Sequence, residues 1–201
     1  MKKRFAPTRR APWLTKHVRQ AVFACLAALA CAAPGVAVVA GAAPDQLEFD
    51  IKAAFLPKFA AYVNWPAKSA LAPEDPLQLC IIGRDPFGNK IDEAATRQRI
   101  ETHPLVVRRL DTTVNAEHCH IAFIGGSPKQ GVKAALKALD DLPVLTVTDD
   151  RFGADRGMVH FILKDGRVRF HIDNAMAVHS ELSISSRLLS IALSVNMRAR
   201  A

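Results

Sequence analysis

Short apolar runs closed by turn residues alternate along this chain with stretches whose apolar residues recur every three or four positions. Leu79-Cys80-Ile81-Ile82-Gly83 leads into Arg84-Asp85-Pro86-Phe87-Gly88, and Cys119-His120-Ile121-Ala122-Phe123-Ile124 leads into Gly125-Gly126-Ser127-Pro128. Each reads as a buried strand feeding a helix, with Asp85 or Ser127 at the cap and Pro86 or Pro128 at the first helical position. Strands are predicted over 77–83, 105–110, 119–124 and 144–148, with helices over about 86–97 and 128–139. Upstream, the spacing of Leu47, Ile51, Phe55, Phe59 and Tyr62 predicts a helix over 45–62. Pro57 should kink or split it, and Asn64-Trp65-Pro66 should end it. Asp165-Gly166 between residues 158–163 and 168–172 is a two-residue hairpin signal. Ile184, Leu188, Ile191, Ala192 and Val195 predict a C-terminal helix capped by Ser183 or Ser185. The expectation is a single α/β domain with a central mixed sheet, helices packed on it, and a C-terminal hairpin and helix.

The first forty-two residues follow another plan. Seven Lys or Arg and no acid precede an apolar, alanine-rich stretch from Ala21, and Ala40-Gly41-Ala42 places small residues at the −3 and −1 sites. This is the layout of a secretory signal peptide, 1–42, with cleavage expected before Ala43. An uncleaved anchor is the alternative, because about 20 apolar residues can span a bilayer. Arg9-Arg10 fits a twin-arginine signal poorly, and neither Cys25 nor Cys31 sits in a good lipoprotein context.

Removing this leader changes the charge balance. The whole chain holds 27 basic and 19 acidic residues, and the leader takes seven of the basic ones with it. The remaining 159 residues, 43–201, are close to neutral and give no global support to nucleic-acid binding. Two cysteines remain, Cys80 and Cys119. In an oxidising exported compartment an even count implies a bridge, so one structural disulfide between them is expected.

Motifs that would carry catalysis are sparse. His118-Cys119-His120 lacks zinc-site spacing, and strand alternation would point the cysteine away from the two histidines. Gly125-Gly126-Ser127-Pro128 lacks a P-loop lysine and a G-x-G-x-x-G pattern. Asp149-Asp150 is a carboxylate pair that a cap or turn explains equally well. Neither G-x-S-x-G nor H-E-x-x-H occurs, so no enzyme activity, cofactor or metal is expected. The hairpin is different. One face gathers His160, Lys164, Arg167, Arg169 and His171, while Val159, Phe161, Leu163, Val168, Phe170 and Ile172 form a core face. The basic face is a candidate for an anion or an acidic partner loop, or else an ordinary solvated surface.

Taken in order, several segments resemble one family. They are Ile51-Lys52-Ala53-Ala54-Phe55-Leu56, Asn64-Trp65-Pro66, Cys80-Ile81-Ile82-Gly83, Asp85-Pro86-Phe87-Gly88, Cys119-His120-Ile121-Ala122-Phe123-Ile124, Pro143-Val144-Leu145-Thr146-Val147-Thr148-Asp149, Val168-Arg169-Phe170 and Ile184-Ser185-Ser186-Arg187-Leu188-Leu189. Together they resemble the YfiR family of small exported proteins, over nearly all of 43–201. The resemblance implies a periplasmic regulator that represses an inner-membrane diguanylate cyclase by binding its periplasmic sensor domain, lowering cyclic-di-GMP and restraining biofilm formation. It also implies a disulfide between the positions of Cys80 and Cys119. The second, redox-sensitive cysteine pair of some members has no counterpart near Arg151 to Gly157. Pro57, Arg156 and Glu181 also depart from the family pattern. Tyr62 and Trp65, with Phe55 and Phe59, are candidate partner or dimer contacts, core packing being the alternative. A periplasmic small-ligand receptor or enzyme, taking an anion or nucleotide on the basic hairpin face, is the rival reading.

Overall fold

The computed structural model describes residues 44–198 apart from Ala70 and Pro73; the expected signal peptide and its cleavage point lie outside the described residues. The chain opens with helix α1 (Pro44–Phe55), which passes into a 3-10 helix over Leu56–Tyr62. Pro57 enters near the start of that second segment, so the predicted split occurs there. Strands β1 (Val63–Asn64) and β2 (Leu77–Gly83), helix α2 (Asn89–Thr96), and strands β3 (Arg99–Ile100), β4 (His103–Leu110) and β5 (Ile121–Gly126) follow. Then come α3 (Val132–Ala138), β6 (Leu145–Asp149), β7 (Val159–Lys164), β8 (Arg167–Asp173), α4 (Asn174–His179), β9 (Ser183–Ile184), α5 (Ser186–Ile191) and β10 (Ser194–Asn196).

Eight strands form one mixed sheet in the order β10-β8-β7-β6-β5-β2-β4-β3, while β1 and β9 form a separate antiparallel pair. Strands β4, β2, β5, β6 and β7 are parallel, β8 turns back against β7, and β3 turns back against β4. The parallel strands therefore lie in the chain order 2-1-3-4-5, a doubly wound order that reverses between β2 and β5. Helices cover both faces. On one, Ile91 and Ala95 of α2 join Leu56 and Phe59 over Leu79, Ile81, Phe123, Val147, Phe161 and Phe170. On the other, Ala135 of α3 packs with Cys80, Ile82, Ala122 and Ile124.

The hairpin has the predicted register, with Lys164 opposite Arg167, Ile162 opposite Arg169 and His160 opposite His171. Asp165 and Gly166 both take positive φ, 50° and 68°, as a primed two-residue turn requires. Four local expectations are corrected. Helix α3 begins at Val132, because Ser127 and Gln130 first close a turn through reciprocal backbone hydrogen bonds of 2.8 and 3.2 Å. Strand β5 begins only at Ile121, and His118 ends a short 3-10 turn. The C-terminal helix stops at Ile191 and gives way to β10, while α4 appears unpredicted, capped by the Asp173 carboxylate that accepts from Met176 N at 3.0 Å. Leu163, expected in the core, is exposed near the hairpin tip.

Candidate functional site

Helix α1 is turned the opposite way from its hydrophobic pattern. Leu47, Ile51 and Phe55, at successive i, i+4 positions, are 56, 39 and 37% exposed. The side it buries carries Glu48, Lys52 and Ala53. A charged pair was drawn inward because it meets charges on the sheet. Lys52 Nζ pairs with Glu48 Oε1 one turn back on α1 and lies 2.6 Å from Asp149 Oδ2 at the end of β6. Arg151 Nη2 reaches Glu48 Oε2 and Asp45 Oδ1, each at 2.7 Å. Burial works against the Glu48 charge, yet hydrogen bonds from Arg151 and Lys52 hold its carboxyl below the usual range. For Asp149 burial wins and pushes the carboxyl up, although Lys52 and the Arg151 amide oppose it. Asp149 also caps the short turn that follows β6, one of the readings open for the Asp149-Asp150 pair, its Oδ1 accepting from Arg151 N at 3.0 Å.

This network stands at the carboxyl end of β6, one strand from the β2/β5 reversal point where a doubly wound fold ordinarily opens a ligand crevice. Here that crevice is filled. A Cβ on Gly83 would lie 2.4 Å from the Gly126 oxygen, and one on Gly125 would lie 2.1 Å from the Arg84 oxygen. Arg84 N donates to Gly126 O at 2.9 Å, so β2 and β5 stay zipped past their ends. Above them Phe87 meets Phe123 edge-on at 4.7 Å, and Phe49 and Phe152 complete the cluster. The Arg84 guanidinium lies over Phe152. Glu48, Asp149 and Asp150 bring carboxylates within 4.8 Å of one another, but Lys52 already supplies the cation between two of them.

At the other end of the strands, Cys80 and Cys119 form a disulfide with Cα atoms 5.8 Å apart, both residues buried. His120 beside it is buried; its Nδ1 accepts from Gln78 N at 3.1 Å and its carbonyl accepts from Trp65 Nε1 at 3.2 Å. Burial, with the neighbouring His103, lowers the His120 pKa. Trp65 is thus half-buried with its ring edge against His120, whereas Tyr62 is 37% exposed.

The five hairpin residues share one face, but not one environment. Lys164, Arg167 and Arg169 are exposed. His160 is buried at its base, with Nδ1 2.9 Å from Thr148 Oγ1. Burial, helped by the charge of Arg156, holds its imidazole down at about 4. His171 is half-buried, its Nδ1 2.6 Å from Ser194 Oγ, and burial again lowers its pKa. Sequence reasoning missed Lys52 and Arg151. Their only signal was that Glu48 and Lys52 stand one helical turn apart with opposite charges, which is also common on solvated helix faces.

An eight-stranded mixed sheet in doubly wound order, with helices on both faces and a buried disulfide, defines an α/β domain. The family model described as YfiR/HmsC-like matches residues 49–193, so the chain belongs to that family. No curated protein matches it. The family is periplasmic and regulatory and acts on diguanylate cyclases. No described helix is long and apolar enough to cross a membrane.

Proposed function

We propose that this chain is an exported periplasmic regulator that binds the periplasmic sensor domain of an inner-membrane diguanylate cyclase and holds the enzyme inactive, lowering cyclic-di-GMP. The observation carrying this reading is the outward apolar stripe of Leu47, Ile51 and Phe55, with Tyr62 beyond it. Such a stripe on a helix whose inner side is fastened by ions is a surface suited to another protein. Repression requires only that the stripe binds the inactive cyclase better than the active one. A second copy of the chain is the competing occupant.

The test replaces Leu47, Ile51, Phe55 and Tyr62 together by Ser in the cell and reads cyclic-di-GMP. Leu47 is the most exposed of the four, while Ile51, Phe55 and Tyr62 still bury most of their side chains, so a thermal melt of the exported variant establishes that it stays folded at growth temperature. The nucleotide level should rise to that of a deletion strain. Retained repression would exclude the stripe as the contact, and a deletion strain with unchanged cyclic-di-GMP would end the regulatory reading. Light scattering of the exported protein and the variant decides whether the stripe instead joins two copies.

A further inference from the structure

The apolar cluster beneath α3 includes residues of β2 and β5 and none of β7 or β8. The hairpin half of that sheet face therefore lies beyond the cluster, and exposed cations border it. Lys164, Arg167 and Arg169 come from the hairpin, Arg156 from the loop before β7, and Lys133 and Lys137 from successive turns of α3. Arg156 is close enough to lower the pKa of both His160 and His171, and Lys164 adds to the effect on His171. None of the six cations forms an ion pair among the described residues, whereas Lys52, Lys90, Arg109, Lys129 and Arg151 all do. Since residues 43–201 are nearly neutral overall, these charges act as a local field on one face.

We propose that this face docks an extended acidic segment of a partner protein. The inference rests on the reading above only in requiring that the chain acts on a protein. Spread decides the class of ligand. The Arg156 charge lies near His160 at the hairpin base, and from there to Lys164 at the tip the strand runs about 13 Å, so the cations form a track rather than converging on one phosphate. His160 contributes no charge, being buried and bound to Thr148. Guanidinium groups along the track match carboxylates through paired hydrogen bonds. Between α3 and the 153–156 loop lies a groove of about 420 Å³, in which Leu136 and Met176 meet Lys133, Lys137 and Arg156. Asp140 and Asp155 also line it, so the segment must place an apolar side chain there and keep its acids on either side.

The experiment places the photocrosslinker p-benzoylphenylalanine at Ile162, the half-buried residue opposite Arg169, and separately at Ile51 on the apolar stripe. The full chain is produced in its own cells and irradiated, and adducts are mapped by mass spectrometry. The Ile162 probe should capture a peptide rich in Asp and Glu. Arg167→Glu with Arg169→Glu should cut that yield about tenfold, while Lys at both positions, which keeps the charge but not the paired hydrogen bonds, should cut it by less. A neutral or basic peptide, lipid alone, or a yield indifferent to charge reversal would overturn the docking face. An Ile51 adduct to a cyclase with none at Ile162 would also overturn it, yet leave the proposed function standing. An acidic Ile162 adduct on a protein other than a cyclase would support the docking face and sink the cyclase reading. No protein adduct from either probe would remove both.

Discussion

Lys52 Nζ and Asp149 Oδ2, 97 positions apart in sequence, lie 2.6 Å apart in the interior and fasten α1 to the end of β6. Breaking this contact from one side should be costly. Lys52→Met leaves Glu48 and Asp149 buried without their shared cation, and a loss of about 3–5 kcal/mol is expected. Lys52→Met with Asp149→Leu should recover much of that loss, because no unmatched charge remains at the strand end. Urea titration of the two variants and of wild type measures the difference. Equal losses in both would mean that the pair contributes packing rather than charge compensation.

The disulfide closes a loop of 39 residues holding α2, β3 and β4. Chain entropy puts its contribution at about 4 kcal/mol. Cys80→Ala with Cys119→Ala should lower the denaturation midpoint accordingly, and reductant should move wild type toward the same value.

Gly83 takes φ of +82° and faces the backbone of Gly126 with no room for a methyl group. Gly83→Ala should force β2 and β5 apart at their ends and destabilise by several kcal/mol, more than the usual cost of about 1 kcal/mol for a point change. Gly131→Ala, where a Cβ would meet open space, is the control and should be near neutral. Thermal melts of the pair test the contrast.

Acid should weaken the fold through His160. The unfolded chain takes up the proton near the ordinary histidine value of 6.5, whereas the folded chain resists until about 4. The unfolded state thus binds more protons within that window, and stability falls as pH drops from about 6.5 to 4. The full shift corresponds to about 3 kcal/mol. His120 and His171, also lowered, act in the same direction. His160→Gln, which keeps a polar group facing Thr148 without titrating, should flatten the slope in urea titrations at stepped pH. An unchanged slope would assign the pH dependence to other groups.

Strands, the hairpin register and the break at Pro57 were legible in the sequence because each depends on local steric or alternation rules. The orientation of α1 was not. Its spacing of Leu47, Ile51 and Phe55 describes a helix correctly but does not say which side faces the sheet. That choice depends on Asp149 and Arg151, about a hundred residues away. The basic hairpin face was visible as a set of residues from period-two alternation, yet the burial of His160 was not. It follows from the pairing of β7 with β6, which sets His160 opposite Thr148. The start of α3 was misplaced because Ser127 bonds locally to Gln130 instead of capping a helix.

Both borders of the eight-stranded sheet are stubs, β3 with two residues and β10 with three. A long bare border would offer a neighbouring molecule a ladder of unpaired amides on which sheets of separate molecules could fuse. Each stub pairs with only part of its neighbour, leaving Leu105 to Leu110 of β4 and Arg167 to Phe170 of β8 without a strand on the outer side, and there the charged Arg108, Arg167 and Arg169 oppose such fusion. Charge along these margins, rather than their shortness, is what keeps the sheets of crowded copies apart.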